Sequence, residues 1–455
     1  MRAPTRVRGP SLGGLRGPWR NVPPIGGSAA LRRLALGAAL TVAALLAGCG
    51  GGGGGSAPSD PPATRNPPVS LANPPSGPNV VPVSILQLAS TGSNTANTPN
   101  TANTPYVTVT VCSSSGGCVS IPDVLVDTGS AGLRLFASSA LNSLNLPAVT
   151  TGTGGALAAC AQFASGYTWG SMRSAVVQIG SLSTGWAIPI EVIGDTSIPQ
   201  TAPQACQNQG QDFSKSLRSV VNGILGISNF QYDCGVACTY PPSAYATQNT
   251  PSPGVYYDCN GGTCTETSAS YAQQGINPIA AFPAGYNNGS ILTLPAASLP
   301  WGSQAATGVL IFGINTASNN QLPTGAQVFA LDRYGNLPIA VNGSGGTGFI
   351  DSGSNGYYTA LNLPACTQSS GFYCPSPAAN VALQLSSGAA SSSTSITIAN
   401  ADTMFQTGNA ALPALGGTVA ITGQVDLGLP FFYGRTIGTG IQQAPHSNDY
   451  GFVAF

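Results

Sequence analysis

Two short tetrads of one pattern constrain this 455-residue chain more than any other feature of its sequence. Each follows an apolar run, and they read Asp127-Thr128-Gly129-Ser130 and Asp351-Ser352-Gly353-Ser354. A buried strand would fix the carboxylate, the glycine permits a tight turn, and the hydroxyls can hydrogen-bond the acid. A single copy is most often an Asx-type turn. Two copies in matching contexts, in a chain with only 14 acidic residues, predict two halves of one acid-base site with Asp127 and Asp351 as its carboxyl groups.

Length and composition indicate a β protein with two lobes. The chain exceeds the length at which a single core usually stops growing. It contains 60 Gly and 37 Pro, and only 6% of its residues are charged. From about residue 80, short β-branched and aromatic runs alternate with Gly, Pro, Asn and Ser. Helical signals are few, the best being residues 137–144 and 213–221. We predict an all-β fold with few short helices.

The N-terminus has the features of an export signal. Seven arginines within the first 33 residues precede an apolar run, 34–46, that is too short for an ordinary spanning helix. The following Ala47-Gly48-Cys49 resembles a bacterial lipobox, in which the cysteine is lipidated and becomes the first residue. A plain signal peptide with an incidental cysteine is the alternative. We expect a lipoprotein signal over 1–48 and an anchor in the cell envelope of a Gram-negative-type bacterium, at the outer membrane because Gly50 is not acidic.

Residues 49–79 are predicted to form a flexible tether. They begin with a run of six glycines after Cys49 and continue with Pro, Ser and Asn, a composition that cannot bury a core. A chain starting at Cys49 has seven basic and 14 acidic residues, a formal charge of −7. That balance argues against nucleic acid or anionic lipid as a partner.

Ten cysteines besides Cys49 form an even set, which in an exported chain indicates five disulfides. Close spacings favour four local pairs and leave one longer pair, although sequence alone does not fix the connectivity. The pairs are Cys112 with Cys118, Cys234 with Cys238, Cys259 with Cys264, Cys366 with Cys374, and Cys160 with Cys206. Zinc is the alternative, but the single histidine is His446 and no CxxC occurs. We expect no metal and no cofactor.

The two tetrads lie within an ordered series of seven segments. They are 125–133 (LVDTGSAGL), 167–172 (YTWGSM), 222–227 (NGILGI), 308–315 (GVLIFGIN), 349–358 (FIDSGSNGYY), 427–432 (LGLPFF) and 450–455 (YGFVAF). Together they resemble the pepsin-like aspartic peptidases. A nearer resemblance, on the stretches NTPYVTVTVC, VLVDTGSAGLR and GYTWGSMR, is to an uncharacterised family of exported bacterial proteins with a domain of unknown function.

The resemblance implies a bilobal fold with a first lobe at 80–315, enlarged by a disulfide-rich insertion at 230–300, and a second lobe at 316–455. It implies that Asp127 and Asp351 meet across a pseudo-twofold axis and share one proton, because two such close charges cannot both ionise cheaply. Ser130 and Ser354 would bond the outer carboxylate oxygens, while Thr128 and Ser352 would lock the two turns by crossing hydrogen bonds.

Two aromatic residues and one base near the predicted site can be interpreted in two ways. Tyr167 and Trp169 match the hairpin flap that covers a peptide in the family, but they could also be ordinary hairpin aromatics. Arg134 stands where the family usually has Trp, so the packing behind the flap must differ. Its expected role is that of a solvated or paired surface base, with substrate specificity as the alternative. No basic prosegment precedes the core.

The sequence therefore predicts a monomeric exported hydrolase of the aspartic endopeptidase type, acting on extended peptides or proteins. The main alternative is a non-catalytic module of the same fold that binds peptide, glycan or another envelope protein. A glycosidase using the same two aspartates is a further alternative, although the duplicated Ser/Thr pattern favours a symmetric pair that shares a proton. A serine or cysteine hydrolase would need His446, and no GxSxG motif is present.

Overall fold

The computed structural model describes residues 60–88, 102–419, 422–443 and 449–455. These residues form mainly strands in two sheets, so the predicted all-β fold is confirmed. The larger sheet contains 18 strands in the described residues: β1 (Val69–Ser70), β2 (Val80–Ile85), β3 (Pro105–Cys112), β4 (Cys118–Asp127), β5 (Ala131–Phe136), β6 (Ala156–Phe163), β7 (Gly166–Ile179), β8 (Leu182–Ser183), β9 (Ile188–Ile193), β10 (Gln211–Asp212), β11 (Gly223–Ile227), β12 (Tyr256–Asn260), β13 (Thr263–Glu266), β14 (Gly289–Thr293), β15 (Ala306–Phe312), β16 (Val328–Ala330), β24 (Thr436–Gly440) and β25 (Phe452–Ala454).

The smaller sheet has seven strands: β17 (Leu337–Val341), β18 (Thr347–Ile350), β19 (Tyr357–Thr359), β20 (Ala379–Ser387), β21 (Ala390–Ile398), β22 (Gly416–Gly417) and β23 (Gln424–Leu427). The helices are short: α1 (Ser139–Ser143), α2 (Gln204–Gln207), α3 (Phe213–Ser216), α4 (Pro242–Ala246), α5 (Ala401–Gln406), and 3₁₀ turns at Gly235–Thr239, Pro278–Ala281 and Leu429–Phe432. No helix in the described ranges is both long and apolar enough to cross a membrane.

One strand arrangement occurs twice and carries the two tetrads. In the first copy, β11 lies between β4, to which it is parallel, and β5, to which it is antiparallel. In the second copy, β23 lies in the same way between β18 and β19. The strands β4 and β18 both lead directly into an aspartate, and the residues that follow turn back into β5 and β19. The repeated topology therefore delivers both carboxyl groups from equivalent positions.

The two predicted lobes share a sheet and a core. The strands β16, β24 and β25, from the second half of the chain, belong to the larger sheet, where β24 pairs with β14. One cluster of buried side chains includes Leu133 from the first half and Phe431 from the second. Burial of these apolar side chains stabilises the two halves against each other.

The structure corrects the predicted tether from Asp60 onward. The β1 strand pairs in parallel with β15, the Trp301 indole donates to the Pro61 carbonyl at 2.7 Å, and the Asn409 amide donates to the Thr64 carbonyl at 3.0 Å. The composition was misleading because a segment without a core of its own can still be held through its backbone groups. The signal peptide and residues 49–59 of the tether lie outside the described residues.

Three local predictions have mixed outcomes. The two helices form but are shorter than expected, as α1 and α3, and the Ser138 side chain caps α1 by accepting from the Leu141 amide at 3.1 Å. The predicted insertion of loops is partly wrong: β12 pairs with β6, and β14 is a buried strand between β15 and β24. All five disulfides join the cysteines that the spacing favoured.

Candidate active site

The two tetrads meet in the structure, and each glycine lies against the other tetrad's carboxyl group. A Cβ placed on Gly129 would lie 2.6 Å from Asp351 Cγ, and one on Gly353 would lie 2.6 Å from Asp127 Oδ1. Real Cβ atoms do not approach other atoms so closely, so only glycine fits at either position. The Asp127 and Asp351 carboxyl groups are within hydrogen-bonding reach of each other and both residues are buried.

Matching hydrogen bonds hold each carboxyl group. The Gly129 amide donates to Asp127 Oδ1 at 2.8 Å, and the Gly353 amide donates to Asp351 Oδ1 at 2.7 Å. The outer oxygens accept from hydroxyls: Ser130 donates to Asp127 Oδ2, and Ser354 donates to Asp351 Oδ2 at 2.9 Å. Each tetrad thus orients its own aspartate by one backbone and one side-chain donor.

The second residues of the tetrads cross between the two turns. The Thr128 amide donates to Ser352 Oγ at 3.1 Å, and the Ser352 amide donates to Thr128 Oγ1 at 2.9 Å. Each hydroxyl then donates to a carbonyl on the opposite strand, Thr128 to Ile350 at 3.2 Å and Ser352 to Val126 at 2.7 Å. All of these groups are buried, so the four bonds fix the separation of the two aspartates.

The electrostatics of the pair favour a single shared proton. Burial raises the pKa of Asp351 well above its ordinary value, and the neighbouring charge of Asp127 raises it further. Two like charges in contact in a buried site cannot both be accommodated, so the pair retains a proton where an exposed aspartate would have lost it. One carboxyl group can then accept a proton while its partner donates one.

Arg134 is not the surface base expected from the sequence. It is buried, and its guanidinium donates to the carbonyls of Ala131 at 2.9 Å and Gly132 at 3.3 Å, directly after the first tetrad. Its Nε lies 3.3 Å from Glu191 Oε2, and its Nη2 lies 3.5 Å from Asp233 Oδ2. The guanidinium therefore supports the active-site turn from behind and neutralises part of two buried carboxylates.

Among the described residues, Glu191 and Asp233 share one cation, Arg134. Burial raises the pKa of Glu191 to about 7 and that of Asp233 to about 6, while Arg134 opposes the shift. Thr168 donates to Glu191 at 3.0 Å, and Tyr256 donates to Asp233 at 2.7 Å. This cluster joins the β5 strand to the β7 hairpin and to the insertion, and only the replaced Trp indicated it in the sequence.

Tyr167 and Trp169 pack within the protein. Both side chains are buried in a cluster with the Cys160–Cys206 disulfide, and the Trp169 indole donates to the Pro199 carbonyl at 2.8 Å. The β10 strand pairs with Gly166 and Tyr167 next to the hairpin turn. This packing matches the alternative reading of ordinary hairpin aromatics, and a flap role for the two residues stays a prediction.

Two further sets of polar side chains in the described ranges could be considered functional. Cys366, Cys374 and Asp402 place ligand-type atoms within 4.8 Å of one another, but both thiols are consumed in a disulfide and are not free for a metal. Asp426, within β23, lies beside Ser354 of the second tetrad and was not predicted as a site residue; its only signal in the sequence was an acid between two apolar residues. Cys49 and His446 fall outside the described residues.

Comparison with known proteins gives a family. Residues 75–455 match the family described as "Protein of unknown function (DUF3443)". The chain belongs to that family. A search of curated proteins yields no match. Among solved structures, this DUF3443 protein is similar to an aspartic proteinase from Irpex lacteus, with a TM-score of 0.46 and 15% identity over 82% of this chain and 96% of that chain.

The crossing hydrogen bonds can be tested in this DUF3443 protein by Ser352→Ala. The substitution removes the acceptor of the buried Thr128 amide and a donor to the Val126 carbonyl, so we expect a loss of about 2–4 kcal/mol in the free energy of unfolding. Denaturant unfolding with the disulfides intact measures it. Ser391→Ala, on the exposed β20–β21 hairpin, is the control and should be nearly neutral; an equal effect of both changes would contradict the role of the network.

The Arg134 cluster predicts a pH-dependent defect. A raised folded-state pKa means that the folded protein binds protons more tightly than the unfolded chain, so Glu191 and Asp233 reduce stability as pH rises from about 4 towards 7. Arg134→Met should raise both pKa values further. The loss of stability should therefore be small near pH 5 and reach about 3–5 kcal/mol at pH 8. The exposed Arg218→Met is the control, and a defect of Arg134→Met that does not change with pH would refute this account.

Proposed function

We propose that this protein is an aspartic-type endopeptidase acting on extended peptides. The observation that carries the proposal is the contact of two buried carboxyl groups from equivalent turns, one of them with a strongly raised pKa. In the proposed reaction the ionised carboxyl takes a proton from a water molecule as the water oxygen bonds to the peptide carbonyl carbon. The protonated partner gives its proton to the carbonyl oxygen. As the resulting diol collapses and the C–N bond breaks, the carboxyl group that took the water proton gives it to the amine nitrogen, and a diol hydroxyl returns a proton to the other carboxyl group.

The hydroxyl and amide donors support both roles in turn. Because each aspartate accepts one amide and one hydroxyl hydrogen bond, either carboxyl group can carry the negative charge without rearrangement. The crossing bonds of Thr128 and Ser352 keep the pair in contact while the proton moves. No cofactor or metal takes part in this proposal, and we expect the protein to act as a monomer.

A binding module on the same scaffold is the second candidate, and one observation favours it. The hairpin β6–β7 is tied to α2 by the Cys160–Cys206 disulfide and is paired with β10 beside its turn. A hairpin held at two points opens less readily than a free flap, which would slow the entry and release of a substrate. Such a protein could hold a peptide, glycan or envelope protein without cleaving it.

Casein or a peptide library, incubated from about pH 3 to 7, distinguishes the two candidates. We expect hydrolysis by the wild type that pepstatin inhibits, and a loss of at least about 10³-fold in Asp127→Asn and in Asp351→Asn. Asp332→Asn, in an exposed turn, is the control for removal of a carboxylate and should retain activity. Equal processing by wild type and Asp127→Asn would exclude the peptidase, whereas peptide binding without products would support the binding module.

We also propose that the protein is an exported lipoprotein anchored through Cys49, at the outer membrane. The five disulfides support a location outside the reducing cytoplasm. Mass spectrometry of the mature protein should find Cys49 as an acylated first residue, and Cys49→Ala should release the protein from the membrane fraction. An unmodified N-terminus at another residue would contradict the anchor while leaving the active site unaffected.

A further inference from the structure

Asp426 is an acid that breaks the symmetry between the two halves of the site. On β23 it lies opposite Phe349 of β18 and Tyr358 of β19. The equivalent residue in the first half is Ile224 of β11, which lies opposite Leu125 and Arg134 and is buried. An apolar side chain is thus sufficient for the strand arrangement at this position. The carboxyl group of Asp426 therefore needs another explanation.

The Asp426 carboxyl shares a hydroxyl with the catalytic pair. Ser354 donates to Asp351 Oδ2 at 2.9 Å, and the same hydroxyl lies next to the Asp426 carboxyl, whose pKa it influences. A serine hydroxyl has a single hydrogen, so it can donate to only one of its two acidic neighbours. The other contact is favourable only when that carboxyl group is itself protonated and donates to the serine oxygen. The two contacts therefore require a proton on one of the two acids, besides the hydrogen of the Ser354 hydroxyl.

The surroundings of Asp426 disfavour its charge. As a residue Asp426 is partly exposed, but its Oδ1 is buried and has no hydrogen-bond partner. In the described part of the chain, the ionisable groups that interact with it are Asp127, Asp351 and Tyr358, and none of these is a cation. Burial raises the pKa of Asp426 to about 8; the neighbouring Ser354 hydroxyl opposes that shift, and the charge of Asp127 adds to it.

We propose that Asp426 is a third carboxyl group of the site: it holds a proton that it donates to Ser354, which in turn donates to Asp351, and on ionising it keeps the shared proton on the pair. The protonation of Asp426 and its donation to Ser354 do not depend on any catalytic activity. Control of the pH range of hydrolysis by Asp426 rests on the proposed peptidase function. Asp426 is a positioning residue in this scheme, because it reaches the reacting carboxyl groups only through Ser354.

Repulsion between the negative charges of Asp426 and the Asp127–Asp351 pair determines the direction in which Asp426 shifts the pH range of hydrolysis. In alkaline solution Asp426 loses its proton near the pair, and the new negative charge makes removal of the shared proton harder. The pair would then stay singly protonated, the form that the mechanism needs, to a higher pH than it would alone. A neutral residue in place of Asp426 removes that charge and lets the shared proton leave earlier.

The first test does not depend on activity. Between about pH 4 and 8 the folded protein would hold one proton at Asp426 that the unfolded chain has lost, so the unfolding constant of the wild type should rise with pH. Asp426→Asn keeps a donor for Ser354 and cannot titrate, so its unfolding should release one proton fewer than that of the wild type. The ratio of the two unfolding constants should change by about tenfold per pH unit from pH 5 to 7. Asp332→Asn should keep the wild-type dependence.

Identical pH dependence of unfolding in wild type and Asp426→Asn would overturn the proposal, because Asp426 would then be ionised in the folded protein. Asp426→Ser, which also retains a hydroxyl donor, serves for the same comparison if the amide variant does not fold. Carbon-13 NMR of the wild type labelled at its aspartate carboxyls gives an independent reading. We expect the Asp426 carboxyl, identified by the loss of its signal in Asp426→Asn, to titrate above pH 7, and titration of that signal in the ordinary range of an aspartate would also overturn the proposal.

The second test uses peptide hydrolysis. We expect the alkaline limb of the kcat profile to move towards acid by about 1 pH unit in Asp426→Asn, with little change at the acidic limb, whereas Asp332→Asn keeps the wild-type profile. An unchanged alkaline limb in an active Asp426→Asn enzyme would refute control of the pH range. Absence of hydrolysis by the wild type at every pH would instead contradict the peptidase function, and the unfolding comparison would still decide whether Asp426 carries a proton.

Discussion

The contact between two buried carboxyl groups is the constraint on which the rest of the site depends. Bringing Asp127 and Asp351 together costs free energy unless they share a proton, so the fold must hold them there by other interactions. The four hydrogen bonds of Thr128 and Ser352 do this, since each joins the turn of one half to the strand or turn of the other. The shared core of the two halves keeps these bonds away from water.

This constraint explains why the tetrads could be recognised in the sequence. Gly129 and Gly353 are required because each carries backbone into contact with the opposite carboxyl group, and the serine at each fourth position binds its own aspartate. The strand patterns and the cysteine spacings were equally local signals: they predicted the β class and four of the five disulfides, and Cys160 with Cys206 was the pair that remained. Interactions that repeat at short sequence separation leave a pattern that can be read.

The features that the sequence did not predict depend on distant partners. The segment from Asp60 is held by backbone pairing with β15, which its composition does not reveal. Arg134 is buried because Glu191 and Asp233, 57 and 99 positions further along the chain, converge on it. Tyr167 and Trp169 match a flap by position, and their packing against the Cys160–Cys206 disulfide and the residues around it depends on partners that their own segment does not reveal. In each case the environment of the residue, and not its own type, decides its role.

The two halves use one backbone frame but differ in charge at one pair of positions. Where Ile224 faces Arg134 in the first half, Asp426 faces Tyr358 in the second. The first half therefore places a cation behind its turn, compensated by two acids, and the second places an acid behind its turn with no cation among its ionisable partners in the described residues. Burial is the main cause of the raised pKa of Asp351, and the charges of Asp127 and then of Asp426 add to it. The acid on β23 therefore acts on the paired carboxyl groups from the second half, where the first half has only an apolar side chain at the equivalent position.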